Sequence, residues 1–372
     1  PLRTLDSADG ISRTFAKLAL AGAVALALQS VYAADITVNQ GEIYDTDIIG
    51  EDKTTTLNNM GTVDNEKIVI HGGTFQNTGV IKTGTLDLFV GDSNLGGDIT
   101  ADDEIIFRGF YTEKTVQFAE VKAQLNTPKL SIIGSATHRA GLKFFSTESL
   151  QNVCEIYAES NGTRTGFWLQ TDSENSIRYD GTVTLLSKAS TEDARIEVDG
   201  DVGNTADATY YVANVISEST AGASNKLQIT NAAGKNVTFA ADDIYVKSGK
   251  LNLQTYADET GKNNDMDHVG TFVLNHVALD EGATLRASVY GGVNGNVVTP
   301  STPPLRIEGD ITFDMAANSG VDFGGWKTQA NDDWIPDYVI VSADSITINV
   351  EDSDGGNYVY LSKNGLQTKV EN

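Results

Sequence analysis

The chain has 372 residues, with 51 Asp and Glu against 26 Lys and Arg, a net charge of −25. A surface this acidic repels phosphate backbones and anionic lipid headgroups, which sets aside nucleic-acid binding and peripheral membrane attachment. At 40% hydrophobic residues the composition is that of a folded protein, and 36 Gly beside 6 Pro suits a turn-dense β chain.

In chain order, residues 1–33 read as a lead-in and a secretory signal peptide. Arg13 and Lys17 precede the apolar run LALAGAVALAL at 18–28, and Val31 and Ala33 are small residues at the positions a signal peptidase reads. Cleavage is expected after Ala33. The run is about half the ~20 residues of a membrane-spanning helix, so no direct membrane span is expected in the mature chain. The single cysteine, Cys154, closes no intramolecular disulfide and is expected to be a small buried hydrophobe.

Residues 57–91 carry the clearest pattern. Short β-type runs at 67–70, 79–82 and 85–90 alternate with turn residues such as Asn58, Gly61, Asp64, Gly73, Asn77, Gly84 and Gly91. Leu86, Leu88 and Val90 share one face and Asp87 the other, the period of two of a strand. Strands this short, joined by turns this tight, predict a coil wound around a stacked apolar core.

The same grammar continues with unequal spacing. An acidic element precedes a strand at 101–105, 241–244 and 342–346, and Gly97-Asp98-Ile99-Thr100 nearly repeats as Gly309-Asp310-Ile311-Thr312. Residues 227–255 predict four strands, too dense for α/β crossovers of a dozen or more residues. Residues 147–157 place Leu150, Val153, Cys154 and Tyr157 at helical spacing, although NVCEIYAE reads equally as a strand. Pro300, Pro303 and Pro304 mark 293–304 as a loop or boundary, and 305–372 resumes short strands as a continuation or a small capping unit.

The motifs GTFQNTGVIKTGTLDL at 73–88 and Glu281-Gly282-Ala283-Thr284-Leu285 resemble the passenger regions of bacterial autotransporters and related surface adhesins. The resemblance covers most of 35–290. It implies an all-β, right-handed parallel β-helix with irregular rungs over 34–292, displayed at the surface of a Gram-negative envelope. The C-terminal membrane barrel of that family is not seen before Lys369-Val370-Glu371-Asn372; the expectation is a truncated chain or a free-standing secreted solenoid. An antiparallel β-sandwich is the architectural alternative.

Candidate chemistry is sparse. Gly91-Asp92-Ser93 resembles the nucleophile block of a lipase and esterase family, with Asp265 and His268 as conceivable triad partners, but the chain continues as a turn with no helix behind Ser93. The Asp-x-Asp pairs Asp199/Asp201, Asp265/Asp267 and Asp352/Asp354 supply hard oxygen ligands without a complete calcium loop. Asp265, Asp267, His268 and His276 form a thin metal set. Phe167-Trp168, Tyr210-Tyr211, Trp326 and Trp334 read as core before they read as a sugar-stacking surface. The expectation is a non-enzymatic adhesion or structural rod with no cofactor or metal, exported and contacting protein or glycan ligands on host or neighbouring cells. A surface esterase on the same scaffold is the alternative.

Overall fold

The computed structural model describes residues 35–51, 54–111, 118–171, 176–190, 192–199, 207–220, 222–230, 236–256, 270–290, 305–327, 339–351, 356–361 and 367–368. Every regular element among them is a β-strand. The predicted signal peptide and the 293–304 boundary lie outside the described residues.

Strand Val80–Val90 shows how the sequence builds the coil. Ile81 and Thr83 point inward, then Leu86, Leu88 and Val90 do so after a break in alternation at Gly84-Thr85. The two halves pair with separate strands of the preceding turn, Thr62–Asp64 and Lys67–His71. Gly84, expected as a turn, is therefore a crease within one strand. Two of the three acidic elements behave alike, whereas Asp344 lies in a bend just before Ser345–Val350, as expected. Asp102 and Asp103 fall where the register of Asp98–Phe110 shifts, and Asp242 and Asp243 lie within Val237–Ser248, so residues 227–255 form three strands and not four.

Each rung thus contributes a short strand to one sheet and one creased strand, or two shorter ones, to another. The sheets contain 14 and 16 strands among the described residues. Among the described residues pairing is parallel except where Tyr358–Tyr360 meets Gln367–Thr368, which makes the fold a parallel β-helix and excludes the antiparallel sandwich. The strands beyond Leu305 pair directly onto those before 290, as in Leu305–Glu308 on Gly270–Leu279.

Parallel stacking in register turns each inward position into a column. One runs Ile48, Ile68, Leu86, Ile105, Leu130, Ile156, Val183, Val215, Ile244, Val277, Phe313 and Ile348 without a polar interruption. Burying each such side chain is worth about 1.5–3 kcal/mol, so this column and its neighbours stabilise the whole length.

The Asn-x-Gly turns have a separate logic. Asn59 and Asn77 end successive short strands and are buried; Asn59 Nδ2 donates to Asn77 Oδ1 at 2.7 Å, and Asn77 Nδ2 to the Gly96 carbonyl at 2.5 Å. Two residues on, glycine is required by close backbone approach: a Cβ on Gly79 would lie 2.3 Å from the Gly61 carbonyl oxygen. These rungs are 18 residues long, the separation of Asn59 and Asn77, whereas Asp310 and Ser345 on successive late rungs are 35 apart.

Of the two readings of 147–157, the strand holds: a pair of turns is followed by strand Asn152–Ser160. Val153, Ile156 and Ala158 complete the stack on that rung, and tertiary burial of these residues overrides the helical spacing. Cys154 is consequently on the outward side and exposed, not buried.

Candidate binding face

Outward positions of the short-strand sheet change character along the coil. On the early rungs Asp35, Thr37, Asn58 and Gln76 are exposed or half-buried. Beyond a half-buried Trp168, the equivalent positions Glu197, Gln228, Gln254 and Ser288 are buried and polar. Lys143 aligns with Trp168, Trp168 with Glu197, and then Gln228, Gln254 and Ser288 follow in register. The neighbouring outward column runs Gly141, Gly166, Arg195, Lys226.

A buried guanidinium must be paired, and Arg195, 3% exposed, is. Its Nε and Nη2 donate to the two carboxylate oxygens of Asp193 at 2.5 and 2.6 Å, and its Nη1 to Gln228 Oε1 at 2.9 Å. Lys226 Nζ reaches Asp193 at 2.9 Å. Burial pushes the Asp193 carboxyl upward, but Arg195 and Lys226 outweigh it and hold it below the usual range. Arg164, beside this cluster, has its guanidinium pKa lowered by burial and by the charge of Arg195. Trp168 packs edge-on to Phe118 at 5.1 Å, with Lys143 Nζ 4.9 Å from its ring centre.

This face also gathers buried polar atoms that have no hydrogen-bond partner. Arg164 Nε, Trp168 Nε1, Gln170 Oε1, Gln254 Oε1 and Ser288 Oγ make no hydrogen bond, and Glu197 Oε2 has only the Arg195 guanidinium, 3.8 Å away. Each such atom costs about 1–3 kcal/mol, and concentration on one face is unusual for native proteins, where buried polar groups are satisfied.

Among the sequence candidates, Ser93 sits not in a turn but in strand Asp92–Leu95, in register with Phe75 and through it with Leu57 and Ile36. That is an inward column. Its Oγ is buried without a hydrogen-bond partner, a position from which a nucleophile reaches no substrate in solution. His268, Asp265, Asp267, Asp201, Asp352, Asp354 and Trp334 lie outside the described residues. Asp199 and Trp326 belong to strands Ala194–Asp199 and Gly320–Lys327.

His276 lies on the creased sheet between two carboxylates from adjacent rungs, Nδ1 at 2.7 Å from Asp243 and Nε2 at 2.9 Å from Asp314. Bonds to Asp314 and Asp243 raise its pKa. With both ring nitrogens so engaged it offers no lone pair to a metal, and no group of three or more His, Cys, Asp or Glu among the described residues is placed to hold one.

The aromatic pairs divide by strand alternation: Phe167 and Tyr210 are core, while Trp168 and Tyr211 face outward. Tyr211 donates to Asp242, and the Arg178 guanidinium lies 3.9 Å from its ring centre.

The charged face was missed because no single segment announces it. Its signal is a repeated pair at the outward positions of successive strands: Arg195-x-Glu197, Lys226-x-Gln228, Asn252-x-Gln254 and Arg286-x-Ser288. Comparison with protein-family models, curated proteins and solved structures finds no match.

Proposed function

We propose that this chain is an exported, non-catalytic β-helical rod that presents binding surfaces to a neighbouring cell or host surface. The observation that carries the reading is the combination of one continuous apolar stack with the three longest connections between described strands falling at one kind of junction. In the early rungs the short-strand sheet passes to the creased sheet through residues 60–61, 78–79 and 96–97; later the same junction is made by 257–269, 291–304 and 328–338. Because the strands that launch these segments are neighbours in one sheet, the segments leave from adjacent points on the rod. Such an arrangement puts variable sequence on an invariant scaffold.

Export follows from the run at 18–28, and the −25 charge favours a dispersed, non-aggregating surface protein. The test is expression with the native N-terminus in a Gram-negative host, N-terminal sequencing of the processed chain, and adhesion of protein-coated beads to cells. The expected result is a mature chain starting at Ala34 and beads that bind. A chain retained unprocessed in the cytoplasm, or beads no stickier than uncoated ones, overturns the proposal.

A further inference from the structure

We propose that the amino-terminal edge of the rod takes up an added β-strand from a cationic partner, an extended segment that sets basic residues between two apolar ones. Strands Asp35–Val38, Ile43–Tyr44 and Ile48–Gly50 begin the coil, and among the described residues each is paired on one side only, to Thr56–Asn59, Thr62–Asp64 and Lys67–His71. Their outer edges carry backbone donors and acceptors that strands inside the stack already use. Adding a strand is how a sheet edge holds an extended peptide, with the main chain giving affinity and the side chains specificity.

The side chains of this rung define the strand that fits. Every second residue from 43 to 51 is exposed, reading Ile43, Asp45, Asp47, Ile49 and Glu51. Ile43, Ile49 and Met60, at 74%, 39% and 49%, are the large hydrophobic side chains left exposed among the described residues, and all three lie at this end of the rod. Val69 stands one rung in from Ile49, in register between Ile49 and Asp87, and is only 7% exposed. An added strand does for Ile49 what its own strand does for Val69.

Charge names the partner. Residues 35–51 hold Asp35, Glu42, Asp45, Asp47 and Glu51 and no Lys, Arg or His, and all of these acids are exposed. Further along the coil carboxylates face bases, as Asp87 does Arg108, Glu104 Lys129 and Glu218 Lys247, whereas among the described residues the acids of the first rung have no such pair. A strand that brings cations to Asp45 and Asp47 supplies the missing charge.

Two other occupants fit less well. A second copy of this chain sets the same acids against themselves, and its far end offers Asp344 and Glu351 on either side of Ser345–Val350, acidic as well. A neutral or acidic strand leaves Asp45 and Asp47 facing no cation. Charges do guard sheet edges against pairing, but a guard has no use for Ile43 and Ile49 in water beside them. The inference rests on the exported reading in one respect: with the leader removed after Ala33, Ala34 alone precedes Asp35 and this edge is the end of the mature rod.

The test is fluorescence anisotropy of a labelled peptide, Thr-Ile-Thr-Lys-Thr-Lys-Thr-Ile-Thr, titrated with the chain purified from the exporting host. The peptide reads alike in both directions and so serves as a parallel or an antiparallel strand. Saturable binding is expected, weakening severalfold from low to physiological salt. The same peptide with Glu in place of Lys, or N-methylated along its backbone so that ladder donors are lost, should bind about tenfold more weakly. Ile43→Ser combined with Ile49→Ser should weaken binding about tenfold, Asp45→Lys severalfold, and Asp98→Lys, three rungs in from Ile43, not at all. Thermal melts establish that each variant is folded; should the double variant not fold, Ile43→Ser, at the most exposed of these positions, carries the comparison. Absence of binding, equal binding of the Glu or N-methylated peptides, binding indifferent to Ile43, Ile49 and Asp45, or a dimer in sedimentation that the Ile43→Ser, Ile49→Ser variant no longer forms overturns the inference. A processed, adhesive chain that ignores the peptide removes the edge site and leaves the adhesive reading. An unprocessed chain that binds it removes the export reading and leaves the edge site.

Discussion

The first rungs and the middle rungs solve the same packing problem with different outward surfaces. In residues 35–95 the turns are short, asparagines at the ends of strands are among the buried polar groups, and outward side chains of the short strands, such as Thr37 and Gln76, are exposed or half-buried. In the rungs from 165 to 290 the inward column through Val183, Val215, Ile244 and Val277 stays apolar, yet outward positions hold Arg195, Glu197, Gln228 and Gln254, all more than nine-tenths buried. The difference shows that the core specifies the coil and leaves the outer face free to diverge. A solenoid of this kind carries its specialisation on the outside, rung by rung, without altering the stack beneath.

That contrast can be broken most severely through what the two regions share. Leu86→Asp in the early rungs and Val215→Asp in the middle ones both place a charge in the same column, and each is expected to cost more than about 4 kcal/mol. Denaturant melts should show both variants unfolded or nearly so; a folded Val215→Asp would mean that the middle rungs do not depend on the column.

Next comes Asp193→Ala, which leaves Arg195 and Lys226 without their carboxylate and is expected to lower stability by about 3–5 kcal/mol. Gln76→Ala, an outward position of the early rungs, should stay within about 0.5 kcal/mol. Equal losses would erase the distinction between the two outer faces. Asn77→Ala removes the early rungs' own buried device, leaves Asn59 Nδ2 and the Gly96 carbonyl short of a partner, and should cost about 1–3 kcal/mol by the same measurement.

The smallest effect concerns pH. Because the folded His276 pKa lies above its ordinary 6.5, its bonds to Asp243 and Asp314 stabilise fully below that value and fade as pH rises through the raised one. The side chain is well exposed, so solvent screening holds the contribution to about 0.5 kcal/mol or less. His276→Gln should flatten that step in the melting temperature between pH 6 and 9, and an unchanged profile would assign the step to another group.

Asp87 shows where sequence reading stops. Its outward direction follows from alternation with Leu86 and Leu88, and so does the fold, since the periods at 85–90 and 250–255 need no tertiary information. That it is nearly buried does not follow: Arg108, a full rung later, clamps both its oxygens at 2.8 and 2.9 Å, and His71 from the rung before lies 3.1 Å away. Burial raises its carboxyl pKa, and these partners more than reverse that. Ser93 is the converse case. A local motif suggested display at a turn, and only the register with Phe75 reveals that it points inward. Alternation along one strand is visible in a sequence; alignment between strands is not, because unequal rung lengths hide which residues are neighbours. The candidate face, built wholly from such alignments, was legible only as unremarked polar residues on four strands.

The growth of the rung from 18 to 35 residues bears on the order in which the molecule assembles. Closing a longer loop costs more entropy, about 0.6 kcal/mol for each doubling, so every late rung starts at a disadvantage to every early one. Rungs contact only their neighbours, and growth then proceeds from whichever end closes most readily. Pulse-labelled hydrogen exchange should find amides near Asn59 and Asn77 protected before those near Thr312, giving a chain that sets from its amino end as it emerges and frays from its carboxyl end as it ages.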